Sequence, residues 1–205
     1  GLFPSPASPI QLALTPDAQT AVYLAPQDST DVYELYSAPI AGPEGSWIRL
    51  NQTLVAFGDV AEFVLAPDGG RVAYVADAQT DGIFDVWSVP VAGGTAIRLR
   101  PTITADGSTA FPQYLRVSAD GSRVAFESTR TGESAVWISA ADGSNLMEVF
   151  SRAGRHSGSP RWSPDGQRLA FSSERAGTPQ LLLLPLGGGE AEPLTTLTGA
   201  VLSAQ

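Results

Sequence analysis

Short apolar segments alternate with polar turns along almost the whole chain. Segments such as VAYVA (72–76) and LAFSS (169–173) contain β-branched or aromatic residues, which favour strands. The residues between them are mostly Gly, Pro, Asp and Ser, which build tight turns. This pattern predicts an all-β chain of many short strands.

One of these turns occurs four times with its flanking apolar positions, as TPDAQTAVY, APDGGRVAY, SADGSRVAF and SPDGQRLAF. The acids that anchor the four copies, and that we expect to be structural turn residues, are Asp17, Asp68, Asp120 and Asp165. Successive acids are 51, 52 and 45 residues apart. Six positions after each acid stands an aromatic residue: Tyr23, Tyr74, Phe126 and Phe171. A period of about 40–50 residues is typical of the blades of a β-propeller.

Each repeat also holds a third and a fourth apolar segment, joined by a second Gly-containing turn. A four-stranded meander of this length predicts a β-propeller of four-stranded antiparallel blades, with four blades visible. The predicted blades span about 10–51, 61–101, 113–151 and 160–196, with 197–205 a tail or the start of a further blade. We expect a single propeller domain, 1–205, that is part of a larger propeller rather than a closed four-bladed ring. A blade buries its faces only against neighbouring blades, so the four repeated aromatic residues are expected in inter-blade cores.

The last repeat, RWSPDGQRLAFSSERAG, resembles the WD-like repeat of TolB-type β-propellers. With the strand and Gly turn that follow, it is also similar to the propeller of prolyl-oligopeptidase-family serine peptidases. The first repeat departs from the pattern at Ala18, where Gly is usual, and the third at Ala119, where Pro is usual. The TolB resemblance implies an extracytoplasmic bacterial protein, periplasmic or secreted, that binds protein partners.

The charge balance narrows the choice of partners. The formal net charge is −9, and all twelve basic residues are Arg. A chain this acidic repels phosphate backbones, so we expect no nucleic-acid partner. The longest strongly apolar run, LLLLPL (181–186), is too short for membrane insertion. The chain has no Cys, which excludes disulfides and thiolate chemistry.

The catalytic residue types are scarce, and we predict no enzyme and no cofactor. The single His, His156, is followed by Ser157, but no Gly-x-Ser-x-Gly motif is present and no acid stands out to orient the imidazole. Catalytic residues of a prolyl-oligopeptidase-like protein would lie in a domain outside this chain.

A weak calcium-loop spacing occurs in DAQTDGIFD (77–85). Asp77, Asp81 and Asp85 stand at positions one, five and nine, with Gly82 at six. Position twelve is Ser88, where calcium loops carry a bidentate Glu. A polar hairpin loop is the favoured interpretation, with no metal.

The connections 25–31, 51–61, 78–85, 100–113, 128–134, 151–160 and 172–179 should lie together on one face of the propeller. Loops on a rigid scaffold commonly carry binding residues. The candidates on this face are Arg100, Phe111, Arg130, Arg155, His156 and Arg175. Phe84, Phe111 and Tyr114 are candidates for stacking on a ligand.

Three functions remain open on this basis. The favoured one is a non-enzymatic scaffold for protein–protein interaction, an accessory part or subunit of an extracytoplasmic bacterial assembly. The second is the N-terminal gating propeller of a prolyl-oligopeptidase-like serine peptidase. The third is a propeller that binds a small ligand or a glycan.

Overall fold

A computed structural model describes residues 11–28, 31–99, 111–130, 133–150, 157–174 and 178–195. These residues form four sheets of four antiparallel strands, in which strands adjacent in sequence are adjacent in space. Within the described ranges all regular elements are strands. The predicted all-β architecture of four-stranded blades is therefore confirmed.

The sheets follow the chain in order. Blade 1 contains β1 (Leu12–Leu14), β2 (Thr20–Ala25), β3 (Glu34–Pro39) and β4 (Ile48–Arg49). Blade 2 contains β5 (Val60–Leu65), β6 (Arg71–Ala76), β7 (Asp85–Pro90) and β8 (Ile97–Arg98). Blade 3 contains β9 (Gln113–Val117), β10 (Arg123–Arg130), β11 (Glu133–Ala140) and β12 (Met147–Phe150). Blade 4 contains β13 (Ser157–Trp162), β14 (Arg168–Ser173), β15 (Gln180–Pro185) and β16 (Glu192–Pro193).

Strand register gives every blade one aromatic face, which we call its leading face. In blade 2, Phe63 pairs with Tyr74 and Tyr74 with Trp87, so the three side chains share a face. Tyr74 and Trp87 stack with ring centroids 6.5 Å apart. The opposite, trailing face carries smaller aliphatic residues such as Ala73 and Val75.

The leading faces of blades 2, 3 and 4 each pack on the trailing face of the blade before it. Three buried clusters of described residues result, one for each successive pair of blades. The repeated aromatic residues Tyr74, Phe126 and Phe171 are buried in these clusters, as their position in the repeat predicts. The prediction was wrong for Tyr23, which is only partly buried and belongs to none of the three clusters. The hydrophobic core of the described chain is thus a series of inter-blade layers.

A polar side chain also joins the first two blades. Gln11 donates from Nε2 to the carbonyl of Phe63 at 2.7 Å and accepts the Phe63 N–H at 2.9 Å. Its amide thereby bonds both backbone groups of one residue in β5, as a neighbouring strand would.

Candidate protein-interaction face

The antiparallel order divides the connections into two faces. The turn face holds the β1–β2 and β3–β4 connections and their equivalents in each blade. The loop face holds the β2–β3 connections and the links from each blade to the next. The sequence predicts binding at the loop face, so both faces are described below.

On the turn face, the four anchor aspartates make one repeated contact. Each Oδ1 accepts the N–H two residues further on, at distances of 3.0, 2.9, 3.1 and 2.9 Å for Asp17, Asp68, Asp120 and Asp165. Hydroxyls of Thr15, Ser118 and Ser163 also donate to three of these acids. These hydroxyl bonds are the main reason that the pKa values of Asp17 and Asp165 are lowered and that of Asp120 falls to about 2.

A groove of about 480 Å³ also opens on the turn face, between blades 1 and 2. Polar groups that line it bond to one another or to the backbone: the Thr15 hydroxyl to Asp17 and the Ser37 hydroxyl to the Val91 carbonyl. Because both hydroxyls donate their hydrogen bonds within the protein, they are not available together to bind a small polar ligand in the groove.

On the loop face, two aspartates hold adjacent connections together. The Asp77 side chain is only 1 % exposed, and its two oxygens accept the N–H groups of Asp59 at 2.6 Å and Gly82 at 2.9 Å. Asp59 in turn accepts the N–H of Tyr33 at 2.7 Å. The links 26–33, 50–59 and 77–84 are therefore cross-connected through buried or half-buried carboxylates.

Desolvation raises the pKa of Asp59 above its ordinary value. The Tyr33 N–H bond opposes this shift, while the negative charges of Asp77 and Asp81 add to it. The carboxyl group of Asp59 is therefore influenced by the negative charges of two other acids.

Phe57 stands two residues before Asp59 in the link between blades 1 and 2. Its side chain is 84 % exposed, and its backbone has a φ of 67°, which few non-glycine residues adopt. It occupies the third position of a turn closed by a bond from the Gly58 N–H to the Val55 carbonyl at 3.0 Å. A Cβ added at Gly58 would lie 2.8 Å from the Asp77 carbonyl, so this turn is packed tightly on blade 2's loop.

Ion pairs support the outer strands beneath the loop face. Arg49 binds Glu34 at 3.0 Å in blade 1, and Arg98 binds Asp85 at 2.6 Å in blade 2. The acid begins the third strand and the arginine ends the fourth, so both blades use the same cross-strand pair.

The three acids of the calcium-loop spacing do not form a common metal site. Asp77 bonds backbone N–H groups and Asp85 pairs with Arg98, whereas Asp81 is exposed. No group of three or more His, Cys, Asp or Glu residues suited to a metal occurs in the described ranges. Asp77 and Asp85 are both buried, so two of the three acids of this predicted polar hairpin are withdrawn from solvent.

Most of the other residues predicted for the binding face lie outside the part of the chain that the structure describes. Arg100, Arg155, His156 and Arg175 lie outside the described residues, and Arg130 ends β10. Phe111 is partly exposed and contacts Phe84 with ring centroids 4.9 Å apart. Phe84 itself is buried in the core between blades 2 and 3, so its prediction as an exposed stacking residue was wrong.

Phe57 is the residue that sequence reasoning missed. It stands in the apolar string LVAF (54–57), which is similar in composition to the strands. Its exposure follows from a left-handed backbone conformation, and the only sequence signal for the turn is the following Gly58. Tyr114, by contrast, was predicted as a stacking candidate and is 44 % exposed.

Across the described residues, no helix is both long and apolar enough to cross a bilayer.

The chain was compared with known proteins. No curated protein sequence matches it. A TolB from Acinetobacter baumannii matches in structure with a TM-score of 0.53 and 18 % identity, over 91 % of this chain and 43 % of that one. A puromycin-hydrolyzing peptidase from Mycobacterium tuberculosis matches with a TM-score of 0.61 and 17 % identity, over 92 % of this chain and 30 % of that one.

A protein assigned as TolB from Agrobacterium tumefaciens gives a TM-score of 0.55 and 23 % identity, over 89 % of this chain. This chain spans 63 % of that protein's length. At such identities the structural matches show the fold. The sequence profile of the TolB beta propeller domain matches residues 65–205, well over half of the chain. The chain therefore belongs to the TolB beta propeller domain family.

Proposed function

We propose that this propeller is a non-enzymatic scaffold that binds a protein partner through its loop face. The observation that carries the proposal is Phe57, a large apolar side chain that is 84 % exposed on a turn anchored to a buried carboxylate. Aromatic residues held rigidly on a surface are typical anchors of protein interfaces.

The backbone at Phe57 strengthens this interpretation. A non-glycine residue in the left-handed region costs about 1–2 kcal/mol, and Gly would remove that cost. Retaining Phe there stabilises neither the turn nor the core, because the side chain is in solvent. A binding role accounts for the combination of strain and exposure.

The chemistry of the partner follows from the surroundings. Asp59 follows Phe57 by two residues, and the charges of Asp77 and Asp81 act on its carboxyl group, in a chain of net charge −9. A complementary partner would present an apolar pocket bordered by Arg or Lys. The three acids would then accelerate association at low salt.

The TolB family membership supports an extracytoplasmic location and a place in a bacterial envelope assembly. The likeness to peptidase propellers concerns the fold, so the gating propeller remains the alternative function. The complete open reading frame distinguishes the two, because the alternative requires an α/β-hydrolase segment in the same polypeptide.

The proposal is tested by replacing Phe57 with Ala in an affinity-capture experiment on an envelope extract of the source organism. Loss of an interface anchor costs about 2 kcal/mol or more, which corresponds to a roughly 30-fold weaker complex. Ile40→Ala is the matched control, since Ile40 is 53 % exposed on the opposite, turn face. A partner retained equally by wild type, Phe57→Ala and an Asp59→Lys/Asp81→Lys variant would contradict the proposal.

A further inference from the structure

The third strand of each blade has one position that is aromatic in three blades and aliphatic in the fourth. The residue paired there with the repeated aromatic residue of the second strand is Tyr36, Trp87 or Trp137 in blades 1 to 3 and Leu182 in blade 4. Because Leu is smaller than these aromatic side chains, blade 4 fills less of its boundary with blade 3 at this position.

A groove of about 330 Å³ lies next to this position, between the outer parts of blades 3 and 4. Leu182 and Phe171 line it from blade 4, and Met147 and Val149 line it from β12 of blade 3. Met147 is 44 % exposed, so the groove is open to solvent at that side chain. The thioether of Met adapts to the shape of a ligand and makes favourable contacts with aromatic rings. The groove is therefore suited to an aromatic group supplied from outside the blade.

The outer strand of blade 3 provides a backbone edge beside the groove. β12 spans four residues, whereas the outer strands of the other three blades span two each. It stands last in the strand order of its sheet, so within the described residues it pairs on one side. Met147 pairs with Ile138, which packs in the cluster between blades 3 and 4, and this places Met147 and Val149 on the face towards blade 4. A strand added along β12 would direct every second side chain to the same face as the groove.

Two acidic residues set the charge around the groove. Glu190 lines it, Glu148 lies on β12 between Met147 and Val149, and both acids are exposed. Arg or Lys residues on either side of an inserted aromatic residue would complement these charges.

We propose that the groove between blades 3 and 4 binds an extended peptide segment of a partner protein, which adds a strand to β12 and inserts an aromatic side chain beside Leu182. The aromatic chemistry follows from blades 1 to 3, the extended conformation from the one-sided pairing of β12, and the basic flanks from the two acids. A further blade would pack on the trailing face of blade 4, whereas the groove lies at its leading face, so the site is compatible with a larger propeller. The groove is distinct from Phe57 on the loop face, and either site can exist without the other.

The single Met of the chain makes the groove directly observable, because Met147 isotope-labelled at its methyl group gives one resonance in an NMR spectrum. The probe is the pentapeptide Arg-Thr-Trp-Thr-Arg, acetylated and amidated at its ends, which places Trp and both Arg on one face of a strand. Its binding should shift the Met147 resonance upfield and to saturation, because the methyl group would lie against the indole ring. Replacing Trp by Ala in the peptide should weaken binding about 30-fold, as for an interface anchor. A resonance that does not shift, or equal binding of the two peptides, would overturn the proposal.

Filling the groove from within should prevent binding. Leu182→Trp supplies the ring that blades 2 and 3 carry, so it should move the Met147 resonance upfield without peptide and abolish the further shift on titration. Ala191→Phe, at a partly buried residue that lines the groove, is a second blocking variant should Leu182→Trp fail to fold. Leu194→Trp is the matched control, since it adds the same ring to blade 4 at a residue that is 57 % exposed and does not line the groove. Peptide binding that survives in a folded blocking variant, or is lost in the control, would contradict the assigned site.

Methylated peptides test the added strand. In an extended peptide the two Thr N–H groups point to one edge and the Trp N–H to the other, so only one edge can pair with β12. Of two probes, one N-methylated at both Thr residues and one at Trp, one should bind as the parent peptide does and the other at least about fivefold more weakly. Equal binding of the two methylated probes would contradict strand addition. N-acetyltryptophanamide, which carries the ring without the strand, should bind more weakly than the peptide, and equal affinity would replace the peptide segment by a small aromatic ligand and overturn the proposal.

Discussion

The turn face and the loop face lie at opposite ends of the same described strands, but their contacts differ in kind. On the turn face one contact is repeated four times, from an aspartate to the N–H two residues further on. On the loop face the contacts differ from link to link, and Asp77 has a role with no counterpart among the turn acids. The repeated contacts preserve the architecture, and the face whose contacts vary is the one at which we propose partner binding.

Left-handed backbone positions show the same contrast. On the turn face the residue after the anchor acid has a positive φ in all four blades, and it is Gly in three of them: Gly69, Gly121 and Gly166. On the loop face a positive φ falls on Phe57, whose side chain is large and exposed. On the turn face, Gly occupies three of these four left-handed positions and avoids backbone strain there. On the loop face, the strained conformation falls on Phe57.

The largest expected effect is on the loop face, from Asp77→Ala. The change leaves the N–H groups of Asp59 and Gly82, whose bonds to Asp77 are partly buried, without their acceptor, at about 1–3 kcal/mol for each group that stays out of contact with water. We expect a loss of about 3 kcal/mol in the free energy of unfolding, measured by urea titration. Asp81→Ala, at an exposed acid of the same loop, should change it by less than about 0.5 kcal/mol. Equal effects of the two substitutions would show that the loop does not depend on the buried carboxylate.

An intermediate effect is expected on the turn face from Gly121→Ala. Gly121 has a φ of 68°, and an added Cβ would lie 2.8 Å from Oδ2 of Asp68, so a cost of about 1–2 kcal/mol is expected. The reverse change, Ala18→Gly, relieves a φ of 55° at the same repeat position. After the entropic cost of Gly, it should stabilise the protein by about 0.5 kcal/mol. Opposite signs in thermal melts of the two variants would support equivalence of the four turns, and equal signs would disprove it.

The smallest expected effect is a difference between the two faces in how stability depends on pH. The folded-state pKa of Asp120 is about 2, below its ordinary value of 3.8, so the stability it contributes is present above pH 4 and is lost as pH falls towards 2. Asp59 has a raised pKa, so its protonation on acidification acts in the opposite direction. Urea midpoints between pH 4 and pH 2 should fall less in Asp120→Asn than in wild type. In Asp59→Asn the urea midpoints should fall at least as much as in wild type. A smaller fall in Asp59→Asn than in Asp120→Asn would refute the directions of the two pKa shifts.

The sequence was sufficient to predict the repeated parts of the fold. Of the four repeated aromatic residues expected in inter-blade cores, Tyr74, Phe126 and Phe171 are buried there, because their spacing from the turn acid fixes both strand and face. Tyr23 has the same spacing but is only partly buried, so the spacing predicts the face and not what covers it. The all-β class and the four-stranded blades followed from the same spacing.

Features that depend on unrepeated loop geometry could not be predicted. Phe84 and Phe57 are both loop phenylalanines in the sequence, yet one enters a core and the other projects into solvent. The difference depends on a backbone dihedral angle and on a carboxylate from another blade, neither of which local composition encodes. The burial of Asp77 and Asp85 was not predicted either, because each carboxylate also contacts a residue of another segment, Asp59 and Arg98 respectively.

The separate inter-blade clusters also have a consequence for unfolding. Each cluster joins two successive blades, and among the described residues no buried side chain belongs to two clusters. Free energy in such an array is coupled between nearest neighbours, as in a one-dimensional lattice. A local defect in one cluster should release the adjoining blade as a partially unfolded unit, and the bidentate Gln11 contact should make the boundary between blades 1 and 2 more resistant to such opening.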